Sequence, residues 1–392
     1  MVSIVIVGSG FGGVGMAARL LQDGHTDLVL LERSDDVGGV WRDNTYPGAA
    51  CDVPSHLYSF SFAPEAGWSR RFAPQAEIYA YLRRVADELG VTPHVRFGTE
   101  VLSATWDDEG GDWDLALSGG RTRRCDVLIA ACGQLSRPAD PRLPGLEDFA
   151  GTVFHSAEWD HEHDLTGRRV AVVGTGASAI QFVPEIVDRA EHVTVFQRSA
   201  PYVVRKPDRA YGPRTHAALE HVPGLLKADR LRTFVTNELR SLGFNTDPRL
   251  LGGHQKRFAR HLAKQVEDPG LRARLTPDYT IGCKRILQSN DWYPALTRSD
   301  VTVVTDAVTR VDATGLTDAA GTRHEVDTIV LGTGFAATDL LVPMVVTGRG
   351  GRTLEHAWSH GAEAYLGTLV SGFPNLFLLY GRTPTSATTR SS

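Results

Sequence analysis

Two stretches of the chain share one pattern of hydrophobic, small and polar positions. Each begins with a short apolar run, passes through closely spaced glycines into a helix-forming segment, and ends in a second apolar run. The first stretch occupies residues 3–33 and the second residues 168–198. A buried strand, a glycine turn, a helix and a parallel strand form the opening unit of a doubly wound sheet. The pattern therefore predicts an α/β chain with two doubly wound, Rossmann-like dinucleotide-binding domains.

The remaining pattern sets the expected domain boundaries. We expect a helix over 75–89 and strands over 95–106, 113–118, 301–304 and 328–331. The Pro-rich stretch 137–145 interrupts regular structure, and a polar helical pattern follows the second glycine unit. The predicted divisions are a first nucleotide domain (1–140), a second in two parts (146–200 and 281–345), a helical insertion (201–280), and a return to the first domain (346–381).

Composition and charge argue against several classes of protein. The net charge is −5, with 42% hydrophobic and 22% charged residues, which gives no electrostatic reason to expect nucleic acid or an anionic membrane as a partner. No apolar run approaches the roughly 18 residues that span a bilayer. The four cysteines form no C-x-x-C pair or Cys/His cluster of the kind that binds a metal. We expect a cytosolic protein with no metal; its oligomeric state stays open.

The first glycine turn carries the spacing G-x-G-x-x-G at Gly8, Gly10 and Gly13. The first two glycines allow a tight turn and close approach of a pyrophosphate, and the third allows helix and strand to pack closely. Glu32 follows the second apolar run, 22 residues after Gly10, where an acid binds a ribose 2′-hydroxyl. A glycine turn of this kind can also serve only to pack a helix against a strand. Here the strand, the helix and the acid all stand at the expected spacing, which favours a bound nucleotide with an unmodified ribose, either FAD or NAD.

The second glycine turn is G-x-G-x-x-A, at Gly174, Gly176 and Ala179, with Ser178 as a further expected cofactor contact. Here the second apolar run leads to Arg198, again 22 residues after the middle glycine. A cation at this position suits a 2′-phosphate, which an acid would repel. We therefore expect NADPH at the second site; the alternative is an exposed arginine on a loop.

Residues 38–62 are rich in glycine, proline and aromatic residues, too irregular for a regular helix or strand. This segment is either a long ordered surface loop or a loop wrapped on a large flat cofactor. It resembles the flavin loop of Baeyer–Villiger monooxygenases (class B flavoprotein monooxygenases, type I), and the resemblance implies FAD at the first site. The matching positions are Gly38, Gly39, Trp41, Tyr46, Pro47, Gly48 and Asp52.

A second segment resembles the identifying sequence of the same family, F-x-G-x-x-x-H-x-x-x-W-[P/D]. Its fixed positions here are Phe149, Gly151, His155, Trp159 and Asp160. From its place in a linker, His155 is more simply a hydrogen-bonded hinge residue than a base. The resemblance implies the same, because in the family these residues couple domain movement to cofactor handling.

The resemblance also implies where oxygen chemistry takes place. Residues 281–296 resemble the family segment that supplies a catalytic arginine, which matches Arg285, and a lysine beside the nicotinamide cofactor, which matches Lys284. In the family, the reaction passes through a C4a-peroxyflavin that a fixed cation keeps anionic, and Asp52 would orient that cation from the flavin side. By residue type alone, Arg285 fits a surface ion pair equally well.

The chain departs from the family at its last residues. Relatives continue after Leu-Leu-Tyr-Gly with Gly-Pro-Asn-Thr-Asn-Leu-Gly-His-Asn-Ser, whereas residues 382–392 read RTPTSATTRSS. Deleting one base from a GC-rich run that encodes the family continuation yields this tail. We therefore hypothesise an aberrant, frameshifted tail at 382–392.

The leading functional hypothesis is a monooxygenase that uses FAD and NADPH to insert one oxygen atom of O₂ beside the carbonyl of a small-molecule ketone, giving an ester or lactone. One alternative is a flavin-containing N- or S-oxygenase, against which the flavin loop and Trp159 argue. Another is a truncated, inactive homologue. The ketone itself is not specified by these motifs.

Overall fold

The computed structural model describes residues 2–245 and 251–379, which divide into two compact units. Within the described residues, the first unit comprises 2–43, 78–137 and 335–379, and the second comprises 44–77, 138–245 and 251–334. Each unit contains one five-stranded sheet in which every strand pairing is parallel. The prediction of an α/β chain with two doubly wound units is confirmed.

The parallel sheet of the first unit is built from short apolar runs buried on both faces, as parallel strands usually are. In spatial order the strands are Leu376–Leu378, Val127–Ala130, Ile4–Val7, Leu28–Leu31 and Val95–Arg96. Ile4–Val7 lies in the centre, so the glycine turn that follows it lies at the middle of the carboxyl edge. Ligands of open α/β sheets bind at this edge.

A second sheet of four strands completes the first unit. Trp113 links the two sheets, because its indole N–H donates to the carbonyl of Pro374 at 2.9 Å. The strands in spatial order are Val345–Thr347, Val101–Asp107, Asp112–Leu117 and Thr122–Cys125. The α-helices are Phe11–Gln22, Val40–Asp43, Gln75–Glu88 (which begins in residues of the second unit) and Leu354–Ala357, with 3₁₀ turns at Thr92–His94, Ser118–Gly120 and Arg349–Gly351.

The parallel sheet of the second unit again has its glycine-turn strand in the centre. In spatial order its strands are Val301–Val304, His192–Phe196, Arg169–Val173, Thr328–Leu331 and Thr152–His155. The helix Ala179–Ile186 packs on this sheet, and Phe182 and Trp292 are both buried in the core below it. An antiparallel three-stranded sheet adds Val308–Asp312, Gly315–Asp318 and Arg323–Glu325, and 3₁₀ turns lie at Leu146–Asp148 and Ser156–Glu158.

Helices dominate the segment between the two parts of this sheet. They are Pro213–His221, Leu225–Asn245, Leu251–Gln265 and Pro269–Arg274, and Trp292–Leu296 follows. Two short parallel strands bracket the four helices, Val203–Val204 and Leu287–Gln288. Among the helices of the described residues, none has the length and apolar character needed to cross a membrane.

The compact units divide the chain differently from the expected domain boundaries. Residues 44–77, expected within the first domain, group with the second unit, and the chain returns to the first unit at 335 rather than 346. Hydrogen bonds explain the first difference, because the Tyr46 hydroxyl and the Ala50 carbonyl both bond to Gln181 of the second unit. The expected aberrant tail, 382–392, lies outside the described residues.

Candidate functional site

The first glycine turn requires glycine for steric reasons. Gly8 has φ +98°, and a Cβ there would lie 2.7 Å from the carbonyl oxygen of Ala131. A Cβ on Gly13 would lie 1.9 Å from the carbonyl oxygen of Gly8. Both values are below the 3.0 Å that Cβ contacts in proteins respect. The turn therefore holds the start of the helix Phe11–Gln22 against the sheet at the carboxyl edge.

Glu32 is buried directly after the strand Leu28–Leu31 and faces this turn. Its carboxylate accepts hydrogen bonds from the Ser9 N–H at 2.9 Å, the Ser9 hydroxyl at 2.7 Å and the Ser34 N–H at 3.0 Å. Arg42 lies 3.4 Å from the same carboxylate. Burial opposes ionisation, yet these hydrogen bonds and the nearby cation outweigh it and hold the pKa of Glu32 below its ordinary value. Glu32 is thus an anion fixed in place before any ligand arrives.

Gly39 and Trp41 lie beside the turn. Gly39 has φ +53°, and a Cβ there would come within 3.1 Å of the Gly10 Cα. Trp41 is half-buried in the short helix Val40–Asp43, where its N–H donates to the Gly38 carbonyl at 3.2 Å. A Cβ on either of the facing glycines, Gly10 and Gly39, would fill the space between them. This cradle fits a pyrophosphate, and the adjacent anionic Glu32 fits a ribose hydroxyl.

The second glycine turn repeats the geometry within the second unit. Gly174 has φ +109°, and a Cβ there would lie 2.4 Å from the Gly332 carbonyl oxygen. Gly176 is exposed, and the nearest atom to a Cβ there would be 3.9 Å away. Ser178 immediately precedes the helix, which begins at the fully buried Ala179. This turn too fits a pyrophosphate at the start of a helix.

Two cations lie near each other close to this second turn. Arg198 is exposed two residues beyond the strand His192–Phe196. Lys284 comes from a distant part of the chain, but its Nζ donates to the hydroxyl of Ser199 at 3.0 Å and lies 4.6 Å from the centre of the Tyr279 ring. The structure therefore brings Lys284 to the residue next to Arg198. Ser199 was not among the sequence candidates, and its position directly after Arg198 was the only signal for it.

The loop after Asp43 is tied to the helix Ala179–Ile186. The Tyr46 hydroxyl donates to the Gln181 Oε1 at 2.9 Å, and the Gln181 amide donates to the Ala50 carbonyl at 2.9 Å. Gly48 has φ +74°, and a Cβ there would lie 2.7 Å from the Gln181 carbonyl oxygen. Burial raises the pKa of Tyr46, so its hydroxyl remains a donor. Sequence reasoning missed Gln181, although it lies two residues beyond Ala179 of the second turn.

Asp52 and Arg285 form an ion pair at the end of this loop. They lie 233 positions apart in sequence, so only the fold brings them together. The Arg285 side chain is 60% exposed and that of Asp52 is 34% exposed, so the pair contributes little to stability as a surface salt bridge. The guanidinium of Arg285 is therefore accessible and is oriented by the Asp52 carboxylate.

Four of the five fixed positions of the second family segment make structural contacts that the structure shows directly. Phe149 is buried, and a Cβ on Gly151 would lie 2.4 Å from the Asp327 carbonyl oxygen. The His155 Nδ1 accepts from the Ala157 N–H at 3.1 Å, which caps a 3₁₀ turn, and burial lowers the pKa of His155. Trp159 packs edge-on against Phe154 with ring centres 5.1 Å apart. These contacts fix the strand Thr152–His155 and the turn after it.

Comparison with known proteins places this geometry in a family. Residues 2–239 match the family model described as flavin-binding monooxygenase-like. A Baeyer–Villiger monooxygenase of Streptomyces coelicolor is 47% identical over 380 residues, which cover 97% of this chain and 73% of that protein.

Solved structures agree with the sequence comparison. An oxidized steroid monooxygenase bound to NADP superposes with a TM-score of 0.86 at 35% identity, covering 97% of this chain and 80% of that one. The OTEMO complex with FAD and NADP superposes with a TM-score of 0.86 at 28% identity, covering 97% and 80%. The chain belongs to the flavin-binding monooxygenase-like family and, within it, to the FAD- and NADPH-dependent Baeyer–Villiger monooxygenases.

Proposed function

We propose that this chain catalyses a Baeyer–Villiger oxidation, in which a ketone, O₂, NADPH and a proton give an ester or lactone, NADP⁺ and water. The observation that carries the proposal is the Asp52–Arg285 ion pair, which lies where the flavin loop ends. Family membership supports the reaction class.

In this proposal the first unit holds FAD. Gly8, Gly10 and Gly13 would face its pyrophosphate, because their lack of side chains exposes the backbone N–H groups at the helix start. Glu32 would accept a hydrogen bond from the adenosine ribose, for which its lowered pKa keeps it anionic. Gly39 and Trp41 would complete the cradle.

The second unit would hold NADPH. Gly174, Gly176 and Ser178 would line its pyrophosphate, and Arg198 and Lys284 would share the 2′-phosphate. The Lys284–Ser199 hydrogen bond supports this arrangement, because it holds a second cation beside Arg198. Two cations would offset the negative charge of the 2′-phosphate, the group that distinguishes NADPH from NADH.

When bound, the nicotinamide supplies hydride and the flavin supplies activated oxygen. Arg285 would contribute a positively charged guanidinium whose planar N–H donors have a fixed geometry. That charge would stabilise the negative charge that develops on the former carbonyl oxygen of the substrate. Asp52 would hold the guanidinium in one orientation, a positioning role that its carboxylate already performs in the ion pair.

Arg285→Ala tests the proposal, because Arg285 should matter to only one half of the reaction. We expect the variant to retain FAD and to be reduced by NADPH at the wild-type rate, since hydride transfer needs no cation at this position. Ester formation should fall by about 10²–10³, the loss expected for one preorganised charge stabiliser. Hydrogen peroxide should be released instead.

Stopped-flow reduction and product analysis with a ketone measure the two halves separately. Arg349→Ala is the matched control, because Arg349 is also an exposed arginine in an ion pair, with Asp108. Ester formation by Arg285→Ala at the rate of that control would exclude Arg285 from the chemistry. A wild-type protein that oxidises sulfides or amines but never forms an ester would instead support the N- or S-oxygenase alternative.

A further inference from the structure

A cavity of about 560 Å³ lies in the second unit. Tyr46 and Gly48 of the flavin loop line it, but none of the residues proposed above to hold FAD or NADPH does. Its walls come from residues 46–50 and 70–76, from one face of the helix Ala179–Ile186, and from residues 206–208 and 288–291. Pockets of 300–1,000 Å³ are typical of small organic ligands and too large for a single inorganic ion.

Lys206 is the half-buried cation of this cavity. Its backbone is fixed by Asn290, whose Oδ1 accepts from the Lys206 N–H at 3.1 Å and whose Nδ2 donates to the Lys206 carbonyl at 3.0 Å. The Lys206 Nζ lies 5.0 Å from the centre of the Phe72 ring. The adjoining strands Val203–Val204 and Leu287–Gln288 pair with each other and make this wall regular. The lysine is therefore held in position rather than free on the surface.

The acidic groups that act most strongly on Lys206 are Asp208, Cys51 and Asp52, and each is already paired or neutral. Asp208 forms an ion pair with Arg70 at 2.7 Å, and Asp52 is paired with Arg285. Burial raises the pKa of the Cys51 thiol to about 12, so that neighbour is uncharged. Among the described residues, no carboxylate oxygen lies within salt-bridge distance of the Lys206 Nζ. Burial accordingly lowers the pKa of Lys206, as expected for a cation without its own counter-ion.

The rest of the cavity lining contains both apolar and acidic residues. Phe72, Ile180 and Pro184 are apolar residues of the lining, and Pro184 is the only one of these three that is not buried. Glu185 and Asp291 also belong to the lining, but both are exposed, so solvent screens their charge. An anionic group therefore gains most from contact with Lys206, and an apolar group gains most from contact with Phe72 and Ile180.

We propose that this cavity is a binding site for a small amphiphilic carboxylate, whose carboxylate pairs with Lys206 and whose apolar part packs on Phe72 and Ile180. The glycines of the two turns, Asp52 and Arg285 are not among the lining residues, so the proposal does not depend on the oxygenation chemistry. Its occupant supplies the counter-ion that the protein itself does not.

Hexanoate and hexanamide are suitable probes, because they have similar shape and differ in charge. The purified full chain is treated with limiting acetic anhydride, and acetylation of each lysine is measured by mass spectrometry. We expect hexanoate to protect Lys206 and to leave the exposed Lys256 unaffected, while hexanamide protects neither. The proposal is overturned if hexanamide protects Lys206 as well as hexanoate does, or if neither compound protects it.

Calorimetry with variants provides the second measurement. Lys206→Met should weaken hexanoate binding by roughly 10- to 100-fold, the loss expected for a charge-assisted hydrogen bond, whereas Lys256→Met should not change it. Lys206→Arg, which retains the charge, should bind hexanoate more tightly than Lys206→Met does, and this comparison separates loss of charge from loss of folding. Unchanged affinity in Lys206→Met refutes the role of Lys206. Protection by inorganic phosphate equal to that by hexanoate refutes the carboxylate class.

Discussion

Replacing Gly13 by alanine is the sharpest steric test of the first glycine turn. The new Cβ would lie 1.9 Å from the Gly8 carbonyl oxygen, whereas Cβ contacts in proteins essentially never fall below 3.0 Å. The difference requires a shift of about 1.1 Å. The obstructing atom is backbone, so no rotamer change relieves the contact.

The Gly8 carbonyl cannot easily provide that shift. Gly8 adopts φ +98° and already lies close to Ala131, which follows the strand Val127–Ala130 paired with Ile4–Val7. Overpacking of this kind typically costs about 1–3 kcal/mol, and we expect the upper part of that range because both partners are constrained. A cradle displaced by about 1 Å would also lose much of its complementarity to a pyrophosphate.

The second glycine turn offers a matched control. Ala179 occupies the position equivalent to Gly13, so this turn already accommodates a methyl group in its fully buried helix start. Ala179→Gly removes that methyl and should cost about 1 kcal/mol in helix propensity. It should leave the flavin content of the protein unchanged.

Three measurements decide the outcome: bound flavin from visible absorbance, FAD affinity by fluorescence titration, and unfolding monitored by circular dichroism. Gly13→Ala should fold with wild-type secondary structure, unfold at a lower temperature and be purified largely without flavin. Stoichiometric flavin with wild-type affinity and an unchanged melting temperature would refute the steric reasoning. Equal loss of flavin in Ala179→Gly would show that the effect is not specific to the first turn.

Three further predictions concern single side chains. Arg198→Ala should raise the KM for NADPH by roughly tenfold or more, the loss expected for a charged hydrogen bond, and should change the KM for NADH little. Steady-state assays that show an equal rise in KM for both cofactors would exclude Arg198 from the phosphate site. Tyr46→Phe removes the hydroxyl that donates to the Gln181 Oε1 and should lower the free energy of unfolding, measured in urea, by about 1–3 kcal/mol. An unchanged free energy of unfolding would contradict this prediction. Because the pKa of Glu32 is lowered on folding from its ordinary value of 4.5, its stabilising contribution is complete above that pH and is lost as pH falls through the lower folded value. Glu32→Gln should therefore show a smaller loss of stability on acidification than wild type in urea unfolding below about pH 4.5, and parallel pH profiles would argue against the shift.

The sequence by itself determined the two glycine units and a dinucleotide at each, while the choice of FAD at the first came from the resemblance of residues 38–62 to a known family. Short-range rules suffice for this part, because a glycine turn between an apolar strand and a helix is specified within about 30 residues. The strands predicted at 301–304 and 328–331 agree with Val301–Val304 and Thr328–Leu331 for the same reason. The helix expected over 75–89 forms as Gln75–Glu88.

Only the tertiary structure decided which distant residues meet. Residues 44–77 follow the first glycine unit in sequence, yet they belong to the second unit. Tyr46, Gly48 and Ala50 of this segment contact Gln181, and no local pattern encodes these contacts. The pairing of Asp52 with Arg285 was implied by the family resemblance but not by any local pattern, since residues 233 positions apart leave no periodic signal. Lys206 was not singled out in the sequence, because its burial depends on walls contributed by five separate segments, one of them its own. Local chemistry therefore specified the turns, and long-range packing specified the sites built between segments.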